Sequence, residues 1–191
     1  MILQEQASAA LLSTVVGADG PAGAIVIGVF FLGLALGGLV GAGQAGRASD
    51  PRRLCVVLAA FIGGWSLCIA FSFPLFQSVS SQAITRLGET GGASLVAVRL
   101  VISTFWILPA SVAAGASFPA LLALLPWRLI GSRTRLIPRM YALDLLGSAL
   151  GAGLGCFWLF PTLGLTGTLL VVSLLQAAAC ALLLVDPLVK A

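Results

Sequence analysis

The stretch FFLGLALGGLVGAGQAGRASDPRR, residues 30–53, passes within a few positions from an apolar, glycine-rich run to a basic cluster. The uncharged run begins at residue 20 and ends at residue 46, which is longer than the approximately 20 residues that a membrane-spanning helix needs. Arginines directly after such a run are typical of a transmembrane helix that ends at a charged membrane surface. The stretch therefore predicts a membrane helix.

Within this stretch, GAGQAG at residues 41–46 satisfies the dinucleotide-binding pattern G-x-G-x-x-G. That pattern binds a pyrophosphate only where a strand precedes it and an acidic residue follows about 20 positions later. Here the preceding residues are predicted to form a membrane helix, and AFIGGWS at residues 60–66 contains no acid. We interpret these glycines as a helix terminus that binds no nucleotide.

The composition of the whole chain agrees with a membrane environment. Of 191 residues, 60% are hydrophobic and 8% are charged, whereas a soluble domain carries about 25% charged residues. Ten basic and six acidic side chains are too few to cover a water-exposed surface of this size. The sequence predicts an all-α integral membrane protein with a single transmembrane domain, residues 1–191.

Residue types that support metal or cofactor chemistry are scarce. The chain has no histidine, which removes the commonest metal ligand and general base. The cysteines lie separately in apolar runs, without the clustering that a zinc or iron–sulfur site requires; they are Cys55, Cys68, Cys156 and Cys180. We expect no metal, no cofactor and no enzymatic activity.

Charged residues divide the chain into apolar segments, from which we predict five spans at residues 22–45, 54–76, 95–125, 140–160 and 163–185. The third span contains Pro109 and Pro119 and is expected to be kinked, tilted or broken. Pro161 to Gly164 provide a turn between the last two spans. Residues 1–17 are too short and polar for a full span, and we expect a partial helix. Trp106 and Trp158 are expected at the interface or facing lipid.

Basic residues are distributed unequally between the two sides of the predicted membrane domain. Arg86 is the basic residue of the loop at 77–93. The other side holds the loops after spans one and three and the C-terminus, which we expect to be cytoplasmic in a bacterial-type inner membrane. We expect the basic residues on this side to contact anionic lipids. No aromatic residues are interleaved with them, so we expect no nucleic-acid binding. They are Arg47, Arg52, Arg53, Arg128, Arg133, Arg135, Arg139 and Lys190.

Two stripes of glycines recur at steps of four residues, so each forms a smooth helix face on which a second backbone can approach closely. The stripes allow two interpretations, packing within this chain or docking of another subunit. The first consists of Gly33, Gly37 and Gly41 in span one, and the second of Gly147, Gly151 and Gly155 in span four.

Three ionisable residues lie in apolar context: Glu5, Arg99 and Asp144. They either line a substrate or proton path or reach a membrane surface to snorkel or cap a helix end. Helical rise separates Arg99 and Asp144 by roughly 15 Å in depth, which disfavours a direct pair. Glu5 is the better candidate partner of Arg99.

Two resemblances extend this interpretation. Residues 46–53, GRASDPRR, resemble the loop between helices two and three of the major facilitator superfamily. LPASVAAGASFPALLALLP at 108–126 and MYALDLLGSALGAGLGCFWLFPTLGLTGTLL at 140–170 resemble the membrane domain of proteins fused to spermidine synthase, in which asparagine often occupies the position of Asp144. The resemblance implies one half of a major facilitator fold, without the aminopropyltransferase domain that follows in that family.

Three functional hypotheses follow. The first, which we favour, is a non-catalytic accessory or scaffold subunit that packs against other integral membrane subunits. The second is a half-transporter that dimerises to carry a small cation such as a polyamine. The third is the membrane half of a split aminopropyltransferase-like enzyme, which rests on family analogy.

Overall fold

A computed structural model of the chain describes residues 20–47, 50–88, 92–124 and 133–185. These residues form five α-helices: α1 (Gly20–Arg47), α2 (Pro51–Gly88), α3 (Gly92–Leu124), α4 (Arg133–Leu154) and α5 (Phe160–Val185). A π-helical turn, Gly155–Leu159, joins α4 to α5. The described helices supply five segments long and apolar enough to cross a membrane. The predicted all-helical membrane fold is therefore confirmed, and the chain is a multi-pass membrane protein. The partial helix expected at 1–17 lies outside the described residues.

Helices α1 and α3 pack side by side in the same direction. Gly33 of α1 lies against Ser111 of α3, and Gly41 lies against Ala116, so residue numbers rise together along the contact. Parallel packing is what two helices that cross a membrane in the same direction require. The close approach depends on the missing side chains of the α1 glycines.

Helix α2 runs antiparallel to α3. The indole N–H of Trp65 donates a hydrogen bond to the Trp106 carbonyl oxygen at 3.0 Å, while Ile62, earlier in α2, packs with Ala113, later in α3. Antiparallel packing follows from the short connection between the two helices, residues 89–91.

Helix α2 also runs antiparallel to α5. The Ser173 hydroxyl donates to the Gly63 carbonyl oxygen at 3.1 Å, and the Cys180 thiol lies 3.6 Å from the Val56 carbonyl oxygen. The contacts of α2 with α3 and α5 therefore place the C-terminal ends of α1, α3 and α5 beside the start of α2. We call this the basic end of the bundle, because Arg47, Arg52 and Arg53 lie there.

The apolar core lies where α1, α2, α3 and α5 meet. Its most deeply buried members include Ile69 of α2 and Leu169 of α5, each 1% exposed. Trp106 of α3 belongs to the same cluster and is 7% exposed. The expectation that Trp106 faces lipid is therefore wrong, because its side of α3 is turned toward α2. Trp158 is 62% exposed, as expected for a lipid-facing residue.

The helix α2 is longer than predicted. It continues to Gly88, so residues 77–88, expected in a loop, are helical. At 1.5 Å per residue its 38 residues extend about 57 Å, nearly twice the thickness of the hydrocarbon core. The apolar pattern ends near Phe76, but the following Gln, Ser, Ala and Leu residues sustain a helix until Gly88.

Helix α3 continues through both Pro109 and Pro119. Of the three predicted alternatives, a kinked, a tilted or a broken helix, the broken helix is therefore wrong. Proline removes one backbone donor from the helix, and serine hydroxyls add donors near each proline. Ser111 donates to the Ile107 carbonyl oxygen at 3.0 Å and Ser117 to the Ala113 carbonyl oxygen at 2.8 Å.

The turn between the last two spans is confined to one residue. Of residues 161–164, Gly164 has non-helical backbone angles, φ 64° and ψ −173°. This conformation is essentially restricted to glycine, because a Cβ would clash with the backbone. Gly164 therefore ends the fourth span, Ile137–Gly164, and the fifth, Thr166–Val185, follows.

Candidate functional site

The rest of the described bundle leaves α4 largely uncovered. In the most apolar part of the span that contains α4, 6% of the residues are buried, compared with 22% to 33% in the other four spans. The main contact of α4 is with the π-helical turn that continues it. Large side chains therefore lie exposed on α4, including Leu143, Leu146 and Leu150, and on the π-helical turn, where they are Phe157 and Trp158.

One side of α4 carries polar and small residues in place of leucines. Gly155, the third glycine of the second stripe, is buried at the start of the π-helical turn. Asp144 and Ser148 are one helical turn apart in α4, and Gly147 and Gly151 lie at spacings that place them on the same side. We call this side the Asp144 face. It combines a carboxylate with a surface on which another backbone can come close.

Asp144 lies in an environment that is unfavourable for a charge. Its side chain is exposed, and among the described residues no hydrogen bond or ion pair involves its carboxylate. It lies five residues, or about 7.5 Å along the helix, after the exposed Arg139. A carboxylate facing lipid at the bilayer centre costs on the order of 3 kcal/mol, so a polar partner at this position would stabilise the helix.

The two glycine stripes differ in their surroundings. A Cβ at Gly33 would overlap the Ser111 side chain, one at Gly37 the Val112 carbonyl group, and one at Gly41 the Ala116 backbone. The first stripe thus packs within the chain, where α1 meets α3. Gly147 of the second stripe has no heavy atom of a neighbouring element within 4 Å of a built Cβ. Within the part of the chain that the structure describes, no other element packs against Gly147.

The three ionisable candidates are not brought together. Arg99 is half-buried in α3, Asp144 is exposed on α4, and no ion pair joins them among the described residues. Glu5, the proposed partner of Arg99, lies outside the described residues. Of these three candidates, Asp144 alone is shown on an uncovered face.

The predicted basic loops are partly helical. Arg47 is exposed at the end of α1, Arg139 is exposed in α4, and Arg133 and Arg135 belong to the start of α4. Arg128 and Lys190 lie outside the described residues.

Arg52 does not behave as the loop cation that the sequence predicted. It lies in the first turn of α2, where its Nε–H donates to the carbonyl oxygen of Leu183. Leu183 belongs to the last turn of α5, where backbone carbonyl groups lack helical partners. Arg52 therefore fastens the start of α2 to the end of α5.

The start of α2 is capped by Asp50, a role that our sequence analysis missed. The Asp50 carboxylate accepts hydrogen bonds from the backbone N–H groups of Arg52 and Arg53 at 3.1 and 3.4 Å. Pro51 takes the first helical position, where proline is favoured because its missing N–H is not needed. The dipeptide Asp-Pro before an apolar run is the signal that predicts such a cap.

A surface cavity of about 340 Å³ opens at the basic end, between the start of α2 and the end of α5. Asp50 and Arg53 form an exposed ion pair at 3.3 Å on its wall. Val56, Val57 and Leu184 supply its apolar lining. Among the described residues, no group of three potential metal ligands is found.

Comparisons with known proteins add no relative. No protein-family model, no curated protein and no solved structure matches the chain. The resemblance to the major facilitator and spermidine synthase-fused membrane domains stays a hypothesis that rests on residues 46–53, 108–126 and 140–170.

Proposed function

We propose that this chain is a non-catalytic accessory or scaffold subunit of a larger membrane protein complex, and that α4 is the helix that docks on a neighbouring subunit. The observation that carries the proposal is the exposure of Asp144 and Gly147 on the least buried of the five spans. The other four spans share an apolar core, whereas α4 is anchored to the bundle mainly through its own continuation.

Exposed leucines alone do not require a partner, because lipid tails are as apolar as leucine side chains. Asp144 and Gly147 differ from the leucines, because each of them gains from a neighbouring protein helix. A carboxylate gains from leaving lipid for a polar neighbour, and an exposed glycine allows a second helix to approach at backbone distance. Both residues lie on one side of α4, so one docking helix would contact them together.

The distribution of basic residues supports an orientation for this subunit. The ends of α1 and α5 and the start of α2 share the basic end, and cationic loops are retained on the cytoplasmic side. We place the basic end and the C-terminus in the cytoplasm of a bacterial-type cell, with the bundle in the inner membrane.

Two matched variants test the docking role of α4. Gly147 and Gly28 are both exposed helical glycines, and a Cβ at either position would have no described neighbour within 4 Å. A larger side chain at either position therefore starts from open space. We expect Gly147→Leu to lose most of the membrane proteins that co-purify with the wild-type chain in mild detergent, and Gly28→Leu to retain them.

Quantitative mass spectrometry of the eluates provides the readout. Equal recovery of every co-purifying protein with both variants would contradict the role of α4. Recovery of a second copy of this chain, and of no other protein, would favour the half-transporter alternative.

A further inference from the structure

We infer that the surface cavity at the basic end binds the headgroup of an anionic phospholipid, with Arg52 and Arg53 as its cationic contacts. The cavity lies between the start of α2 and the end of α5, so this inference goes beyond the docking role proposed for α4. The ligand is defined by its chemistry, a negatively charged phosphate group joined to apolar acyl chains.

The cavity lies where two helices reach the membrane surface. Three residues, 48–50, connect α1 to α2, so the chain turns back into the membrane at this depth. Arg52 and Arg53 belong to the first turn of the second span, Pro51–Phe73. Lipid headgroups lie at the same boundary, and basic pockets between transmembrane helices bind anionic headgroups.

Positive charge exceeds negative charge in the lining of the cavity, which contains Arg52, Arg53 and Asp50. The Asp50 carboxylate is already engaged by Arg53, at 3.3 Å, and by two backbone N–H groups. Arg52 is half-buried and forms no ion pair with any described residue. Its Nε–H donates to a backbone carbonyl oxygen, which carries no net charge. An anion in the cavity would compensate the charge of Arg52.

Arg53 retains hydrogen-bond donors for a phosphate group. Its ion pair with Asp50 is made through Nε, and its side chain is 88% exposed. The guanidinium group carries further N–H donors on its two Nη atoms. Arginine donors bind phosphate oxygens in pairs, so Arg53 can bind a headgroup while it keeps its contact with Asp50.

The apolar lining distinguishes a lipid from a soluble anion. Val57 and Phe61 follow Arg53 at steps of four residues, so the three share one side of α2. Val57 is 62% and Phe61 45% exposed, and Leu184 adds an apolar edge from α5. The volume of about 340 Å³ accommodates a headgroup, while an acyl chain would lie along Val57 and Phe61. A free phosphate would gain nothing from these apolar side chains.

Native mass spectrometry of the full chain in mild detergent tests the preference for an anionic lipid. The chain is titrated with phosphatidylglycerol or with phosphatidylcholine of the same acyl chains. We expect phosphatidylglycerol to bind at least about fivefold more tightly, since each arginine near an anionic headgroup contributes about that factor. Equal affinity for the two lipids would overturn the inference.

Charge variants locate the site. We expect Arg53→Gln to lower the affinity for phosphatidylglycerol about fivefold and Asp50→Asn to raise it about fivefold. Asparagine still caps a helix, so Asp50→Asn retains the start of α2 and gains an affinity that a misfolded chain would lack. Arg47→Gln is the matched control, because Arg47 is exposed at the basic end and does not line the cavity.

We expect Arg47→Gln to change the affinity less than about twofold, because its charge lies outside the cavity. Equal losses with Arg47→Gln and Arg53→Gln, or no gain with Asp50→Asn, would overturn the inference. Either result would assign the lipid preference to the overall charge of the basic end.

Photo-cross-linking and competition separate the lipid from other ligands. Photoreactive residues replace Val57 beside the cavity and, as a control, Phe71, which is exposed farther along α2. In vesicles of equal parts phosphatidylcholine and phosphatidylglycerol, we expect adducts at position 57 to be enriched in phosphatidylglycerol and those at position 71 to match the vesicle. Inorganic phosphate, compared with sodium chloride at the same ionic strength, should leave the lipid bound.

Equal lipid composition at positions 57 and 71, or displacement of phosphatidylglycerol by inorganic phosphate, would overturn the lipid site. These measurements involve α2 and α5 and do not require a protein partner on α4. Their failure would therefore leave the proposed function standing, and loss of the proposed function would leave the lipid site standing.

Discussion

Gly37 and Gly38 are neighbours in α1, yet they lie in different surroundings. A Cβ at Gly37 would overlap the Val112 carbonyl group of α3, whereas one at Gly38 would meet open space. Forcing a methyl group into a packed contact costs about 1–3 kcal/mol. We expect Gly37→Ala to lower the free energy of unfolding by that amount.

Gly38→Ala is the matched control, since it places the same methyl group on the same helix without a neighbour. We expect its effect to stay within about 0.5 kcal/mol of the wild type. Unfolding by sodium dodecyl sulfate, followed by circular dichroism in mixed micelles, measures both. Equal unfolding midpoints for the two variants would contradict the close packing of α1 on α3.

Arg52 and Arg53 form a second pair of neighbours with different roles. Arg52 donates to the Leu183 carbonyl oxygen, whereas Arg53 forms an ion pair with Asp50 and its side chain is 88% exposed. A hydrogen bond from a charged donor contributes about 1.5–3 kcal/mol, and an exposed ion pair contributes about 1 kcal/mol or less.

We therefore expect Arg52→Ala to destabilise the bundle more than Arg53→Ala. We expect Arg52→Ala to lower the free energy of unfolding by about 1.5 kcal/mol, the lower end of the range for a hydrogen bond from a charged donor. Burial of Nη2 of Arg52 without a hydrogen-bond partner among the described residues offsets part of the gain. The same detergent unfolding assay compares the two. A larger loss of stability with Arg53→Ala would show that Arg52 does not fasten α2 to α5.

Some residue roles could be predicted from sequence and others could not. The Asp50–Pro51 pair carries a local signal, because capping depends on the residues next to it. The burial of Trp106 and the exposure of Asp144 carry none. Helical periodicity shows which residues share a face, but the neighbour that a face meets is determined by tertiary packing.

At the scale of elements, Gly164 determines where the fourth span ends and the fifth begins. Its φ of 64° with ψ of −173° costs a residue with a Cβ about 1–3 kcal/mol. We expect Gly164→Ala to destabilise the turn between the fourth and fifth spans by that amount, although no neighbouring atom would lie within 4 Å of the added Cβ.

Gly153→Ala is the control for this prediction, because Gly153 is helical and also has free space. Alanine there should be neutral or stabilising, since it favours the helix. Protease susceptibility of the turn at Gly164, between the fourth and fifth spans, reports the difference in detergent. If Gly164→Ala were as resistant as Gly153→Ala, the positive φ would not be required.

The existence of each helix was predictable, and its ends were less so. An apolar run of about 20 residues must be helical in lipid, because its backbone groups have no other hydrogen-bond partners. Outside the bilayer that constraint ends, and α2 continues to Gly88 without an apolar signal. The π-helical turn Gly155–Leu159 likewise has no sequence signal that we recognised.

At the scale of the whole molecule, the antiparallel contacts of α2 determine which ends lie together. They bring together the end of α1, the start of α2 and the end of α5, where Arg47, Arg52 and Leu183 lie. We expect a green fluorescent protein fused after residue 191 to fluoresce in the cytoplasm, and one inserted after residue 88 to remain dark outside it. The reverse pattern would contradict the proposed orientation.

The partner of this bundle could not be predicted, because its identity depends on a surface of another molecule. The spacing of the second glycine stripe allows two interpretations, packing within the chain or docking of another subunit. Among the described residues, no other element contacts Gly147, and the span that contains α4 is the least buried of the five. Both observations favour docking of another subunit at Gly147. We therefore propose that another membrane protein covers α4.

Native mass spectrometry of the particle extracted from its own membranes in mild detergent tests this claim most directly. We expect a particle that contains this chain together with at least one different membrane polypeptide. In the Gly147→Leu variant, we expect that polypeptide to dissociate. A wild-type particle of one chain with bound lipid, and no second polypeptide, would contradict it.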